Sequence, residues 1–184
     1  MDFLINLWLP ILLTGFALFM ASFVFWTVLP HHEDDFQQAD DEDALMEALG
    51  RLNLPAGKYL FPFIRHAEMK DEAKVEKYRQ GPRGTLVLWD MPNMGRNLGL
   101  TFTLFLAIAA VTAYITWEAL GPGAGFWKVF QIAGAIGILV HCSSGQLNAV
   151  WFPRGTLMDF LDGIAYGLVT GLIFALLWPG ELPT

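Results

Sequence analysis

Leu98–Trp117, LGLTFTLFLAIAAVTAYITW, runs for twenty residues without an Asp, Glu, Lys, Arg or His. A helix rises about 1.5 Å per residue, so this run is long enough to cross a hydrocarbon core of roughly 30 Å. Three other stretches qualify in the same way. The first, Phe3 to Leu29, is long enough to tilt and contains Pro10, which can kink it. The others run over about 126–152 and 156–178. Trp8, Trp26, Trp117, Trp127, Trp151 and Trp178 lie near the ends of these runs. Amphipathic indole rings favour the headgroup layer there.

The charges are segregated accordingly. Nine of the eleven Lys and Arg, and thirteen of the eighteen Asp and Glu, fall between Pro30 and Arg96. The remaining segments are nearly uncharged, as hydrocarbon requires. The pattern predicts a membrane all-α fold, a four-transmembrane-helix bundle with a small α+β cytoplasmic cap between helices 1 and 2. Its parts are helix 1 (1–29), the loop domain (30–96), helices 2–4 (97–179; spans about 98–117, 126–152 and 156–178) and a tail (180–184). The start Met1-Asp2-Phe3 lacks a basic n-region and the apolar run exceeds a signal peptide's, so cleavage is not expected.

With four spans, both termini share a side with the glycine-rich loop around Gly123, where Lys128 is the nearby base. The other side carries the long loop and the Phe152-Pro153-Arg154 turn, with ten basic residues. The positive-inside rule puts the long loop in the cytoplasm and both termini outside. The net charge of −7 argues against a nucleic-acid partner. Cys142, the single cysteine, rules out an internal disulfide or a multi-cysteine metal site.

Within the loop, His31-His32-Glu33-Asp34-Asp35 offers divalent-metal ligand types, and His31, His32 and Asp34 are the candidates. Adjacent side chains diverge on a helix or a strand, so the competing reading is a solvated linker. Asp40 or Asp41 can cap a helix to about Leu52. A strand over Lys58–Phe61, a helix over about Glu68–Arg79 and a second strand over Thr85–Trp89 follow. Such a cap is undersized for a strong core of its own.

Several runs carry a resemblance. They are Leu29-Pro30-His31-His32, Asp41-Glu42-Asp43-Ala44, Leu54-Pro55-Ala56-Gly57-Lys58-Tyr59 with Phe61-Pro62, Gly81-Pro82-Arg83-Gly84 and Pro92-Asn93-Met94-Gly95. Together with Trp151-Phe152, Asp162-Gly163 and Leu177-Trp178-Pro179, they make most of the chain similar to a group of uncharacterised bacterial four-span inner-membrane proteins. The resemblance implies a bacterial inner-membrane location and carries over no functional residues.

The third and fourth spans, joined by a short turn, should form an antiparallel hairpin. Residues at equal depth then have numbers of nearly constant sum. By that register Asn148 pairs with Asp159, Ser144 with Asp162, His141 with Tyr166 and Gly137 with Thr170. A polar stripe falls on a polar stripe, either as packing glue or as a proton path. Gly163, Gly167 and Gly171 form a small-xxx-small face suited to the first or second helix, or to another subunit. A lone His141 is a poor haem ligand, and no cofactor is expected. There is no His-Glu-x-x-His and no phosphate loop, which points away from an enzyme. The leading expectation is a non-enzymatic membrane module in the lipid bilayer, either a homo-oligomer or an accessory subunit of a membrane complex. The alternative is an ion or proton channel or transporter using the seam.

Overall fold

The computed structural model describes residues 2–152 and 157–180. The turn bearing Pro153, Arg154 and Thr156 and most of the tail lie outside the described residues. The chain divides into two compact units, residues 37–93 and the remainder.

The larger unit holds four helices long and apolar enough to cross a membrane, over Phe3–Val28, Met94–Leu120, Phe126–Trp151 and Leu157–Leu176. Helix α1 (Asp2–Phe23) continues across Pro10 and passes into a wider π turn, Val24–Val28. The Leu29 N–H closes that turn on the Val24 carbonyl at 3.0 Å. Leu29 is extended, as a residue before proline prefers, and Pro30 starts a 3₁₀ turn, Pro30–Asp35, where its missing N–H costs nothing. That turn belongs to the bundle, so the loop unit begins at Gln37 and not at the boundary expected from charge at Pro30.

Helix α4 (Met94–Leu120) packs on α1, and α5 (Phe126–Ser143) packs along α7 (Leu157–Leu176). The third span is broken. Gly145, with φ of +83°, turns the chain after α5, and a short exposed α6 (Gln146–Trp151) resumes. A continuous helix to Phe152 was expected; Ser144 is extended at that point (ψ 115°), and a left-handed glycine follows it.

The α5–α7 contact is made by glycine. A Cβ on Gly167 would lie 2.5 Å from Ile138 N and 2.9 Å from Gly134 O, and one on Gly171 would lie 2.7 Å from Phe130 O. The glycine face of α7 thus receives the third span within the chain. This corrects the expectation that it serves the first or second helix or another copy. Its small residues let two backbones meet, and dispersion between them replaces side-chain packing. Beyond this seam, Leu7, Ala109, Ala113, Val129, Ala133 and Phe174 form a fully buried apolar core. The Gly123 N–H on Pro179 O (2.9 Å) and the Trp178 indole N–H on Gly121 O (3.0 Å) tie that end together.

The smaller unit comprises α2 (Glu42–Leu52), β1 (Gly57–Phe61), α3 (Glu72–Gln80) and β2 (Gly84–Leu88). The strands pair antiparallel, from Gly57 opposite Leu88 to Phe61 opposite Gly84. Asp41 caps α2 by accepting the Ala44 N–H, and Asp71 caps α3 by accepting those of Ala73 and Lys74. None of residues 37–93 is fully buried. Caps and a two-stranded ladder therefore hold this unit more than apolar burial does.

Candidate functional site

The end of the bundle where α1 passes into the π turn carries the titratable side chains. The Pro30–Asp35 turn folds back so that two adjacent imidazoles close on one carboxylate of α7. His31 Nε2 lies 3.0 Å from Asp162 Oδ1, and His32 Nε2 lies 3.1 Å from Asp162 Oδ2. The other ring nitrogen of His32, Nδ1, is 2.5 Å from Asp35 Oδ2. The His32 ring lies flat on Trp26 of the π turn, with centroids 3.9 Å apart and planes 9° apart. Phe25 meets His31 edge-on at 5.9 Å and lies against Tyr166 at 5.5 Å. His32 and Asp162 are both buried.

The local fold explains this convergence. The π turn carries Phe25, which meets His31, and Trp26, which meets His32, and such turns recur at functional sites. The 3₁₀ turn then brings both imidazoles within reach through their distal nitrogens. Burial alone would depress the pKa of His32. Its hydrogen bonds to Asp35 and Asp162 outweigh burial and raise it above the usual 6.5. Both ring nitrogens of His32 face carboxylate oxygens, which accept only, so a doubly protonated ring satisfies the arrangement.

A partly open cavity of about 480 Å³ lies beside this cluster, between α1, α4, α5 and α7. Its polar lining comes from Ser22, Thr27, Thr101, His141, Ser144, Asp159, Asp162 and Tyr166, and its apolar wall includes Phe19, Trp26 and Phe105.

Five of the seven seam residues read from sequence therefore line one cavity: His141, Ser144, Asp159, Asp162 and Tyr166. Asn148 does not join them, because the break at Gly145 carries it onto the exposed α6. Thr170 is buried deeper, its hydroxyl donating to Tyr166 O at 2.8 Å. His141 faces the rings of Tyr166 (5.2 Å) and Phe105 (5.8 Å), and its Nε2 is buried without a hydrogen-bond partner among the described residues. Asp162, level with Ser144 in the sequence register, is engaged by His31 and His32.

Of the metal candidates, Asp34 is exposed, while Asp35 makes the contact to His32. The solvated-linker reading of His31 and His32 fails, since their shared partner lies about 130 residues away. Asp35 and Trp26 were not singled out by sequence. A His at i and an Asp at i+3 is the signal that could have found Asp35. The chain matches no protein-family description, no curated protein and no solved structure. The site is therefore read from its own chemistry.

Proposed function

We propose that this is a non-enzymatic, multi-pass protein of the bacterial inner membrane, with its long loop in the cytoplasm. It acts as a binding module, as an accessory subunit of a larger membrane complex. The observation that carries this reading is a polar cavity that is blind. It has carboxylates and imidazoles at one end, while the other half of the bundle is filled by Leu7, Val129 and Phe174, each fully buried, and by glycine backbones. A conducting path needs polar groups or water from face to face. A pocket lined by a few convergent polar groups and aromatic walls is the form of a ligand site. The internal use of the glycine face leaves the accessory-subunit form ahead of the homo-oligomer.

The second reading, a proton or ion conductor, draws on hydroxyls in the filled half. Thr14, Thr112 and Thr116 are buried there without hydrogen-bond partners among the described residues. Such groups would have to be linked by water to carry protons.

Reconstitution separates the two. Purified protein in liposomes under an imposed proton or cation gradient should leak no faster than empty liposomes. Flux that disappears in a folded Asp162→Asn variant would overturn the binding-module reading. Native mass after gentle extraction should show one copy travelling with a larger assembly.

A further inference from the structure

The strongest feature left unexplained is why one carboxylate is clasped by two neighbouring imidazoles. With His31 and His32 neutral, Asp35 and Asp162 leave two negative charges around a buried ring. His31 can then donate its Nε2–H to Asp162, but His32 has one proton for two carboxylate oxygens, so one of its lone pairs faces an acceptor. Positive charge at that contact relieves the clash. A second proton on His32 supplies it, and so does a dication.

We infer that His31, His32 and Asp162 form a binding site for a transition-metal dication of the zinc class, with Asp35 as the outer carboxylate orienting His32. The inference deepens the binding-module reading by naming the ligand of the cavity's charged end. The donor atoms of the three residues lie within 4.8 Å of one another. A tetrahedral site with bonds of about 2.0–2.1 Å has ligand-to-ligand edges of about 3.3 Å. Each imidazole already meets an oxygen of Asp162 at close to that spacing, His31 at Oδ1 (3.0 Å) and His32 at Oδ2 (3.1 Å). Binding through one of these oxygens asks for a small shift of side chains.

A second observation points the same way. Histidine ligands usually donate their other ring N–H to a carboxylate, which fixes the tautomer and aims the free lone pair at the metal. His32 has this arrangement through Asp35, and stacking on Trp26 holds the ring plane. Three protein ligands leave a fourth position free. Asp159, which groups with His32 and Asp35 at similar range, can fill it directly or through water from the cavity. Two imidazoles and a carboxylate suit zinc, iron, cobalt, nickel or copper. Calcium and magnesium, which take oxygen ligands, are disfavoured.

The test uses tag-free full-length protein in detergent, stripped with chelator and titrated with Zn²⁺, with Mg²⁺ as the control. One Zn²⁺ per chain should bind at micromolar affinity or tighter. Asp162→Asn and His32→Ala should each weaken binding by more than about 100-fold, above the roughly 10–100-fold expected when an outer carboxylate is removed in Asp35→Asn. Asp34→Asn should leave it unchanged. Cu²⁺ bound to the unsubstituted protein should show spin-resonance splitting from two imidazole nitrogens, a readout that stands even if a variant fails to fold. No saturable Zn²⁺ uptake, equal affinity in folded Asp162→Asn, or a Cu²⁺ spectrum without two imidazoles would each overturn the site. A conducting protein that binds zinc would overturn the blind-pocket reading alone. A non-conducting protein that takes up no metal would overturn the metal site alone.

Discussion

The two halves of α7 are both buried, but by different physics. From Gly167 to Ala175 the helix is covered by backbone and apolar atoms: Gly134 and Ile138 of α5, with Phe174 in the apolar core. From Asp159 to Tyr166, apart from the backbone of His141 and Cys142 against Gly163, it is covered by rings: His31, His32, Phe25 and Phe105. The first half excludes everything, since removing side chains lets the helices touch. The second keeps large polar and aromatic groups and retains a cavity beside them. Close packing of glycine rows is the cheaper route to stability in hydrocarbon, where helix association relies on contact. A buried ion cluster is weak evidence for stability, because desolvation offsets much of its attraction. Its retention at one end of the same helix that packs so economically at the other marks that end as the place of chemistry.

Breaking the polar half should have the larger effect. Asp162→Ala leaves His32 buried against Trp26 without its α7 partner, and loss of one member of a buried pair costs about 3–5 kcal/mol. Thermal unfolding of metal-free protein in detergent should show the loss. Hydrogen exchange should show residues 30–35 released; protection there equal to the parent's would refute the clasp. In the dry half, Gly167→Ala drives a Cβ against Ile138 N and Gly134 O, which are backbone and cannot rotate away. Overpacking of this kind costs about 1–3 kcal/mol. A variant as stable as the parent would mean that α5 and α7 are not in this register.

The α5–α7 seam is readable from the sequence in both halves, whereas the clasp is not. Apolar runs, glycine spacing and depth pairing are local or nearly so, and they brought His141 to Tyr166 and Gly137 to Thr170 on paper; the rings lie 5.2 Å apart, and a Cβ on Gly137 would lie 3.3 Å from Thr170 Cβ. The clasp depends on a turn at Pro30 meeting Asp162 about 130 residues later. No periodicity records such a contact, and the divergence of adjacent side chains argued against it. The break at Gly145 was equally hard to see, because glycine is common in membrane helices and only its positive φ marks the turn.

A smaller effect tests the dry half from within. Thr112 and Thr116 are buried on α4 with hydroxyls that find no partner among the described residues. Replacing an unpaired buried hydroxyl by a methyl removes a desolvation cost, so Thr112→Val and Thr116→Val should be neutral or stabilising by up to about 1 kcal/mol. Denaturant titration of each variant measures this directly. A clear destabilisation would mean that water reaches the hydroxyls, and would turn the argument towards the conducting alternative.

The smallest effect belongs to the loop unit, where the Glu68–Lys74 pair is the exposed counterpart of the clasp. The Lys74 ammonium donates to Glu68 Oε1 at 2.6 Å, and the Arg65 N–H donates to Oε2 at 3.0 Å. These bonds, Lys74's first, hold the Glu68 carboxyl below its usual 4.5. A depressed carboxyl contributes stability above that usual value and loses it as the pH falls through the folded one. Water screens a pair this exposed, so the contribution to folding is slight. Carboxyl-carbon magnetic resonance should find Glu68 titrating low in the parent and closer to 4.5 in Lys74→Ala. A Glu68 titration that ignores Lys74 would leave only the Arg65 N–H to explain the shift, and would show that this surface pairing is incidental.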